Sequence, residues 1–420
     1  LGGGVMKAQP GPAASARVMA ATNGTALTGR VVALLAGLSA ISVLSTNIIL
    51  PAFPEIGRQL GVSSRELGLT LSSFFITFAL AQLLVGPLAD RFGRKRLVLG
   101  GLTLFVVGTL VAGLASSLDI LIAGRVIQAL GVCAAAVLAR AIARDLFEGE
   151  TLARALSLTM IATATAPGFS PLLGSLLTTA LGWRAIFVMV GIATIVIAFF
   201  YVRGLGETLP PERRVMQSVP QVMGAYGRLL GDGRFILPAV AVSLLMSGLF
   251  ASFGAAPAIL MTGMGLSSLQ AGLYFAATVF VVFAAGLVAP RLGRRFGSRR
   301  VASVGLATAV LAGGLLLIGP SDPGLAWYSL SMVTFLWGMG LANPLGTAIT
   351  MGPFGNEAGL ASALLGFLTM GAAAITTWLV SVLEFAPVTT LGATQTVVCL
   401  IGLGVFVLAN RQAASANGQG

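Results

Sequence analysis

Two groups of residues have the types and spacing to do chemistry. In "GPLADRFGRKR", Gly86 to Arg96, Asp90 precedes Arg91, Arg94, Lys95 and Arg96, and long stretches with almost no charge lie on either side. Asp90 is placed to accept from Arg94 and to face the positive end of a neighbouring helix. Further along, Arg125 stands inside an apolar run with Gln128 one turn on. A guanidinium near the centre of a membrane helix costs about 2.5–3.5 kcal/mol, so something must offset it. Either Arg125 faces a central cavity and binds a ligand or links it to protonation, or it is bonded to carbonyls or to a loop acid such as Asp119. Guanidinium does not release its proton at relevant pH, so any proton carrier is another group.

What the chain lacks is equally restrictive. It has no histidine, which excludes His-based metal sites, catalytic triads and a neutral-pH switch. Cys133 and Cys399 lie in apolar segments with neither disulfide nor zinc spacing and read as small core residues. No cofactor fingerprint and no paired carboxylates at membrane depth are present, which argues against an enzyme. No catalytic residue, cofactor or metal is expected.

The elements that must position these groups are membrane helices. Of 420 residues, 56% are hydrophobic and 9% charged, with 55 glycines and a mean hydropathy of +0.96, a balance suited to a lipid-facing surface. The +12 formal charge sits in short gaps between apolar runs, without an aromatic-interleaved patch, so it speaks for loop topology and not for nucleic acid. Runs long enough to span fall at 31–53, 67–88, 97–117, 120–143, 155–180, 184–202, 234–259, 270–290, 301–319, 326–350, 360–382 and 390–409. This reads as an all-α membrane protein: a tail 1–30, a six-helix unit 31–202, a linker 203–233, a second six-helix unit 234–409 and a tail 410–420. The first run is long enough to span and is not closed by a cleavage site, so no removable signal peptide is expected, and Met6 is one candidate for the natural start, an unusual start at Leu1 the other.

Lys7, Arg17, Arg30, the Arg91–Arg96 cluster, Arg144, Arg154, the linker arginines, the Arg291–Arg300 cluster and Arg411 fall on one side, against Arg58, Arg65 and Arg184 on the other. Both termini are therefore expected in the cytoplasm of a bacterial-type inner membrane. In the linker, Ser218 and Gln221 have capping-box spacing, and Val219, Val222, Met223, Tyr226, Leu229 and Leu230 form an apolar stripe. An amphipathic helix on the inner membrane face is one reading and a flexible tether the other.

"RFGRKR" (Arg91 to Arg96) realigns with "RFGSRR" (Arg295 to Arg300), each after the second span of a half, with Arg294 in the place of Asp90. Such repeats point to two pseudo-symmetric bundles rocking about a midplane site. At these residues the chain resembles the major facilitator superfamily. "ILPAFP" (Ile49 to Pro54), "GRVIQALG" (Gly124 to Gly131), "RAIARDLF" (Arg140 to Phe147), "PLLGSLLTTALGWRAIF" (Pro171 to Phe187) and "GLANPLGTAITMGPFGNEAGLASALLG" (Gly340 to Gly366) are similar to its bicyclomycin/chloramphenicol-resistance drug-efflux branch.

The resemblance implies twelve transmembrane helices in two six-helix bundles and export of drugs or small metabolites in exchange for protons. It also implies that Asp90, Arg94 and Asp145 form a charge relay that locks the outward-facing state and breaks when the inner side opens. Arg125 would act in the central cavity, and "PGFSPLLGS" would be the antiporter signature, carrying Pro167, Gly168, Pro171 and Gly174.

The chain departs from that pattern in span 1, where Asn47 and Ser39 stand at places many relatives give to acids. With no midplane carboxylate (Asp322, for example, falls at the outer boundary), Asp119 and Asp145 are the candidates for proton coupling. A cavity positive through Arg125 favours neutral or weakly anionic lipophilic compounds, phenicol-like, over cations. Asn47, Gln128 and Asn343 are expected to supply polar contacts there, and Phe74, Phe78, Phe250, Phe253, Tyr274 and Trp337 an apolar lining. The expected partners are a small-molecule substrate, protons and the lipid bilayer, with no nucleic acid, and the chain is expected to act as a monomer. An uncoupled or differently coupled metabolite facilitator of the same fold is the alternative; a membrane receptor or enzyme is a remote one.

Overall fold

The structure is a computed structural model and describes residues 28–214, 219–320 and 323–417. The N-terminal tail up to residue 27, Ser218 of the linker and Asp322 lie outside the described residues. Twelve helices are long and apolar enough to cross a bilayer. Spans 1 to 6 are Gly29–Leu60, Gly68–Phe92, Arg94–Gly113, Leu118–Leu146, Gly149–Leu181 and Arg184–Gly204. Spans 7 to 12 are Gly233–Gly263, Ser268–Phe296, Ser298–Ile318, Leu325–Gly355, Ala358–Val382 and Pro387–Ala413. Among the described residues there is no strand.

Several spans run further than their apolar stretch. Span 1 passes through a tight turn at Leu50–Ala52 and resumes at Phe53–Leu60. Pro51 and Pro54 lack the amide that a regular ladder would use, so the helix re-forms one turn later. Span 7 continues past Pro257 as a π-helical stretch, Pro257–Gly263, for the same reason.

The two halves repeat in backbone detail. Gly93 and Gly297, each directly after the second span of its half, have φ of 94° and 89°, a region that L-residues other than glycine avoid. Within each half the third and fourth spans meet through glycine. A Cβ on Gly108 would lie 2.5 Å from the Gln128 amide nitrogen, and one on Gly305 the same distance from the Gly338 carbonyl oxygen. Lipid offers no hydrophobic force between helices, so close backbone approach of this kind is what holds them.

The bundles touch along two seams, span 2 with span 11 and span 5 with span 8. Both seams are tight in the half of the molecule away from the arginine-rich loops. There Gly68 abuts Ser381, Gly272 abuts Leu172, Ser268 Oγ donates to the Pro51 carbonyl at 3.0 Å, and Arg65 Nη2 donates to the Phe385 carbonyl at 2.6 Å. Toward the arginine-rich end the halves part around a cavity of about 830 Å³ between spans 2 and 4, span 11 and the linker helix.

That linker helix, Val219–Gly231, corrects one expectation. Half of its apolar stripe is not on lipid: Val222, Tyr226 and Leu229 pack against Phe235, Ala239, Ala361 and Leu364 of spans 7 and 11, while Met223 and Leu230 remain exposed. Tyr226 also donates to the Leu83 carbonyl of span 2 at 3.1 Å, so the helix touches both bundles at the cavity's edge.

Candidate functional site

Arg125 sits in the second turn of span 4, which starts at Ser117, whose hydroxyl caps the helix. Its side chain is fully buried, at 1% exposure. Nη1 donates to the Ser45 carbonyl of span 1 at 3.0 Å and to Gln128 Oε1 at 2.9 Å. Gln128 in turn donates to Thr109 Oγ1 of span 3 at 2.8 Å. The guanidinium lies 4.4 Å from the Phe74 ring centroid, a cation–π contact. No acid takes part: Asp119 is exposed at the start of the helix and is not Arg125's partner. Carbonyl, amide and ring share the stabilisation, and Nε and Nη2 remain buried without a hydrogen-bond partner among the described residues. Buried donors in that state are rare and mark a place where a polar ligand or water gains two charge-assisted bonds.

Nearby, Asn47 ends the first helical segment of span 1 and is 2% exposed. Its amide donates to the Val43 carbonyl at 3.1 Å, and its Oδ1 has no partner among the described residues. Ser39 Oγ is likewise buried and without a partner among the described residues. Neither Arg125 nor Asn47 lines the open cavity in this conformation. Of the two readings of Arg125, the carbonyl-bonded one describes this conformation, in which Phe74 and span 1 close over it.

The aromatic residues explain the closure. Phe74 packs on Phe78 and Phe75, each at 6.2 Å between centroids, and Phe75 meets Phe250 across the bundle interface at 4.7 Å. Contacts continue through Phe253, Phe275 and Tyr274 to Tyr328 at 5.9–6.3 Å. Five of the six expected aromatics therefore meet, yet they form a plug between the bundles and do not line the cavity. Phe75, Phe275 and Tyr328, which complete the plug, have no sequence signal beyond being aromatic in an apolar run.

Trp337 is not part of the plug. It is 38% exposed and lies with Leu330 and Val333 on the outward face of span 10. On other sides of that helix, Gly338 meets span 9, Phe335 meets Gly248 of span 7, and Gly340 meets Ala285 of span 8. Asn343 is half-buried, about 120° around the helix from Trp337.

At the arginine-rich end, Arg94 donates from Nη1 to Asp90 Oδ1 at 2.6 Å and from Nε to Asp145 Oδ2 at 3.1 Å. The structure thus brings all three expected relay residues together, and all three belong to the first bundle. In this conformation both bonds are made beside the cavity. A residue that sequence reasoning missed completes the cluster. Glu207 Oε1 accepts from the Arg94 backbone amide at 2.9 Å and the Leu209 amide at 3.1 Å, while Arg214 approaches its Oε2 at 3.6 Å. The stretch after span 6 thus caps the start of span 3, and Thr208 donates to Asp145 at 3.2 Å. Only chain proximity in the fold could have revealed this.

In span 5, Pro167 and Pro171 stand inside the helix, and Gly168 and Gly174 lie at its contacts. Gly168 abuts Val279 of span 8, and Gly174 abuts the Ile48 carbonyl of span 1, where any side chain would collide. Of the proton candidates, Asp119 is exposed in the first turn of span 4, and Asp145 is held by Arg94 and Thr208. Among the described residues no cluster of acids, cysteines or histidines has the arrangement to hold a metal.

A family model described as "Major Facilitator Superfamily" matches residues 35–377. The multidrug resistance protein D of Escherichia coli (strain K12) is 32% identical over 340 residues, 79% of this chain and 83% of that protein. A chloramphenicol resistance protein of Pseudomonas aeruginosa is 29% identical over 77% of this chain and 75% of its own length. Among solved structures, a bacterial homolog to the human lysosomal transporter Spinster, in an inward-facing and unoccupied conformation, matches with a TM-score of 0.73 at 17% identity, covering 92% of this chain and 98% of that one.

Proposed function

The chain belongs to the Major Facilitator Superfamily, and from that premise we propose that it exports neutral or weakly anionic, phenicol-like lipophilic compounds by alternating access, in exchange for protons. Family membership makes it a multi-pass membrane transporter and not an enzyme. The observation that supports alternating access is the asymmetry of its two seams: closed at one end through Gly68–Ser381 and Ser268–Pro51, parted at the other around the 830 Å³ cavity. The positive-inside rule assigns the parted, arginine-rich end to the cytoplasm of a bacterial inner membrane. Both termini then lie on that side, and compounds enter the cavity from within. The multidrug and chloramphenicol resistance relatives favour export over import.

In this reading the aromatic plug separates when the far side opens, and Arg125 with Gln128, Asn47 and Asn343 meets the passing compound. Gly168 lets span 5 approach span 8 and Gly174 lets it approach span 1, with Pro167 and Pro171 shaping the helix between them, so that the seam closes. Asp90, Arg94 and Asp145 hold the arginine-rich end of the first bundle as one rigid piece. Asp145 is the better placed proton carrier, because neutralising it would weaken a bond to Arg94. The chain works as a monomer, since each bundle finds its partner in the same chain.

A second reading, an uncoupled facilitator, is favoured by Asn47 and Ser39, which leave span 1 without a titratable group between Arg30 and Glu55. Uptake of chloramphenicol into inside-out vesicles, with and without an imposed pH gradient, tests both. Gradient-driven accumulation supports exchange, equilibration insensitive to pH supports the facilitator, and absence of either rejects export.

A further inference from the structure

The cavity contains two cations that the charge cluster at its edge does not absorb. Arg140 and Arg144 both line it and are exposed. They are one turn apart on span 4, so their side chains share a helix face. Neither makes an ion pair with a described residue, whereas every acid of the cavity is engaged. Asp90 and Asp145 are bound to Arg94 at 2.6 and 3.1 Å, and Glu357 is paired with Arg228 at 3.6 Å.

Helix stability does not ask for this arrangement, because like charges at that spacing cost roughly 0.2–0.5 kcal/mol. Topology does not ask for it either. Arg144, at the end of the span, suffices as a cytoplasmic anchor, while Arg140 lies about 6 Å further in. The same cavity also has an apolar lining from Pro87, Val137, Leu138, Leu360 and Ala363, beside the polar Gln82, Gln221 and Ser362. A ligand satisfying both features has an anionic head and an apolar body, and the volume accommodates one of drug size.

We propose that Arg140 and Arg144 form a carboxylate-binding subsite at the mouth of the cavity, which selects lipophilic organic acids as cargo. Two guanidinium forks offer a carboxylate paired, charge-assisted hydrogen bonds. That the bound acid is cargo rests on the export reading above; the subsite itself does not.

The test is equilibrium binding to the full-length protein in phosphatidylcholine nanodiscs at neutral pH, using 1-naphthylacetic acid and its uncharged isostere 1-naphthylacetamide. The wild type is expected to prefer the acid, and Arg140→Gln to lower the acid-to-amide affinity ratio roughly ten- to a hundredfold, the worth of hydrogen bonds to a charged group. Arg144→Gln should lower it in the same direction. Arg140→Lys, which keeps the charge, should retain most of the preference, and size-exclusion profiles show whether each variant is folded. An unchanged ratio in Arg140→Gln, or no acid binding to the wild type, overturns the proposal. So does loss of acid binding when phosphatidylglycerol replaces phosphatidylcholine, which would give the site to a lipid headgroup. Uptake of both compounds into inside-out vesicles separates the two readings. Arg140-dependent binding without uptake rejects export and keeps the subsite; uptake with an unchanged ratio rejects the subsite and keeps export.

Discussion

The guanidinium of Arg125 rests 4.4 Å from the ring centroid of Phe74, with no carboxylate to balance it. The ring belongs to a plug that joins the two bundles through Phe75 and Phe250 at 4.7 Å. Arg125 is therefore covered by the contact that holds the far side shut, and its exposure to a compound depends on that contact separating.

Arg125→Met tests whether the charge serves transport or packing. A buried charge with two unsatisfied nitrogens contributes little to folding, and a well-packed apolar replacement is often neutral or stabilising by about 1–4 kcal/mol. The melting temperature of the purified variant should match or exceed the wild type, while vesicle transport per folded molecule falls at least about tenfold, the loss of one charge-assisted bond. A destabilised variant with undiminished transport per molecule would make Arg125 structural.

The span 5 seam makes a second prediction. Gly168→Leu forces a side chain into Val279, and overpacking of this kind costs about 1–3 kcal/mol. The seam it disrupts is an interface between moving bodies, so transport should fall far more than the amount of folded protein in the membrane. Gly314→Ala is the control: nothing lies within 4 Å of its Cβ position, and alanine is favoured over glycine in a helix by about 1 kcal/mol.

Gly93 makes a third. Its φ of 94° is unfavourable for any other L-residue, and a Cβ there would meet the Glu207 carboxylate and the Arg214 guanidinium. Gly93→Ala should lower thermal stability by about 1–3 kcal/mol. Glu207→Ala relieves the clash but removes the acceptor for the Arg94 amide, so adding it to Gly93→Ala should recover only part of the loss. Independent, additive losses would show that the two residues are not coupled.

Much of this arrangement was legible in the sequence. The twelve spans follow from the length of the apolar runs, and the repeat from two matching arginine clusters. The Arg125–Gln128 bond follows from helical spacing. What could not be read were the faces. A span apolar on all sides carries no pattern that separates lipid from protein, which is why Trp337 was expected inward and lies outward, while Phe75, Phe275 and Tyr328 went unmarked. The other omission, Glu207, lies in an irregular stretch whose contacts with Arg94 exist only after span 6 returns beside span 3.

The charge cluster ranks its own members. Asp145 is 18% exposed and bonded to both Arg94 and Thr208, whereas Asp90 is 46% exposed with one partner. Asp145→Ala should cost about 1–3 kcal/mol by leaving buried donors unmatched, against about 0–1 kcal/mol for the more solvated Asp90→Ala. Thermal melts order the two. Asp90→Ala should nonetheless lose most transport, since Asp90 faces the cavity that must close; unimpaired efflux would remove it from the gate.

The central claim is that the bundles rock so that one end closes as the other opens. With the buried free cysteines Cys133 and Cys399 replaced by alanine, spin labels go on exposed Phe92 and Phe296 at the arginine-rich end, or on exposed Leu181 and Phe385 at the other. On addition of a transported compound, the Phe92–Phe296 distance distribution should shorten and the Leu181–Phe385 distribution lengthen. Distributions that stay fixed, or widen together, contradict alternating access in this protein.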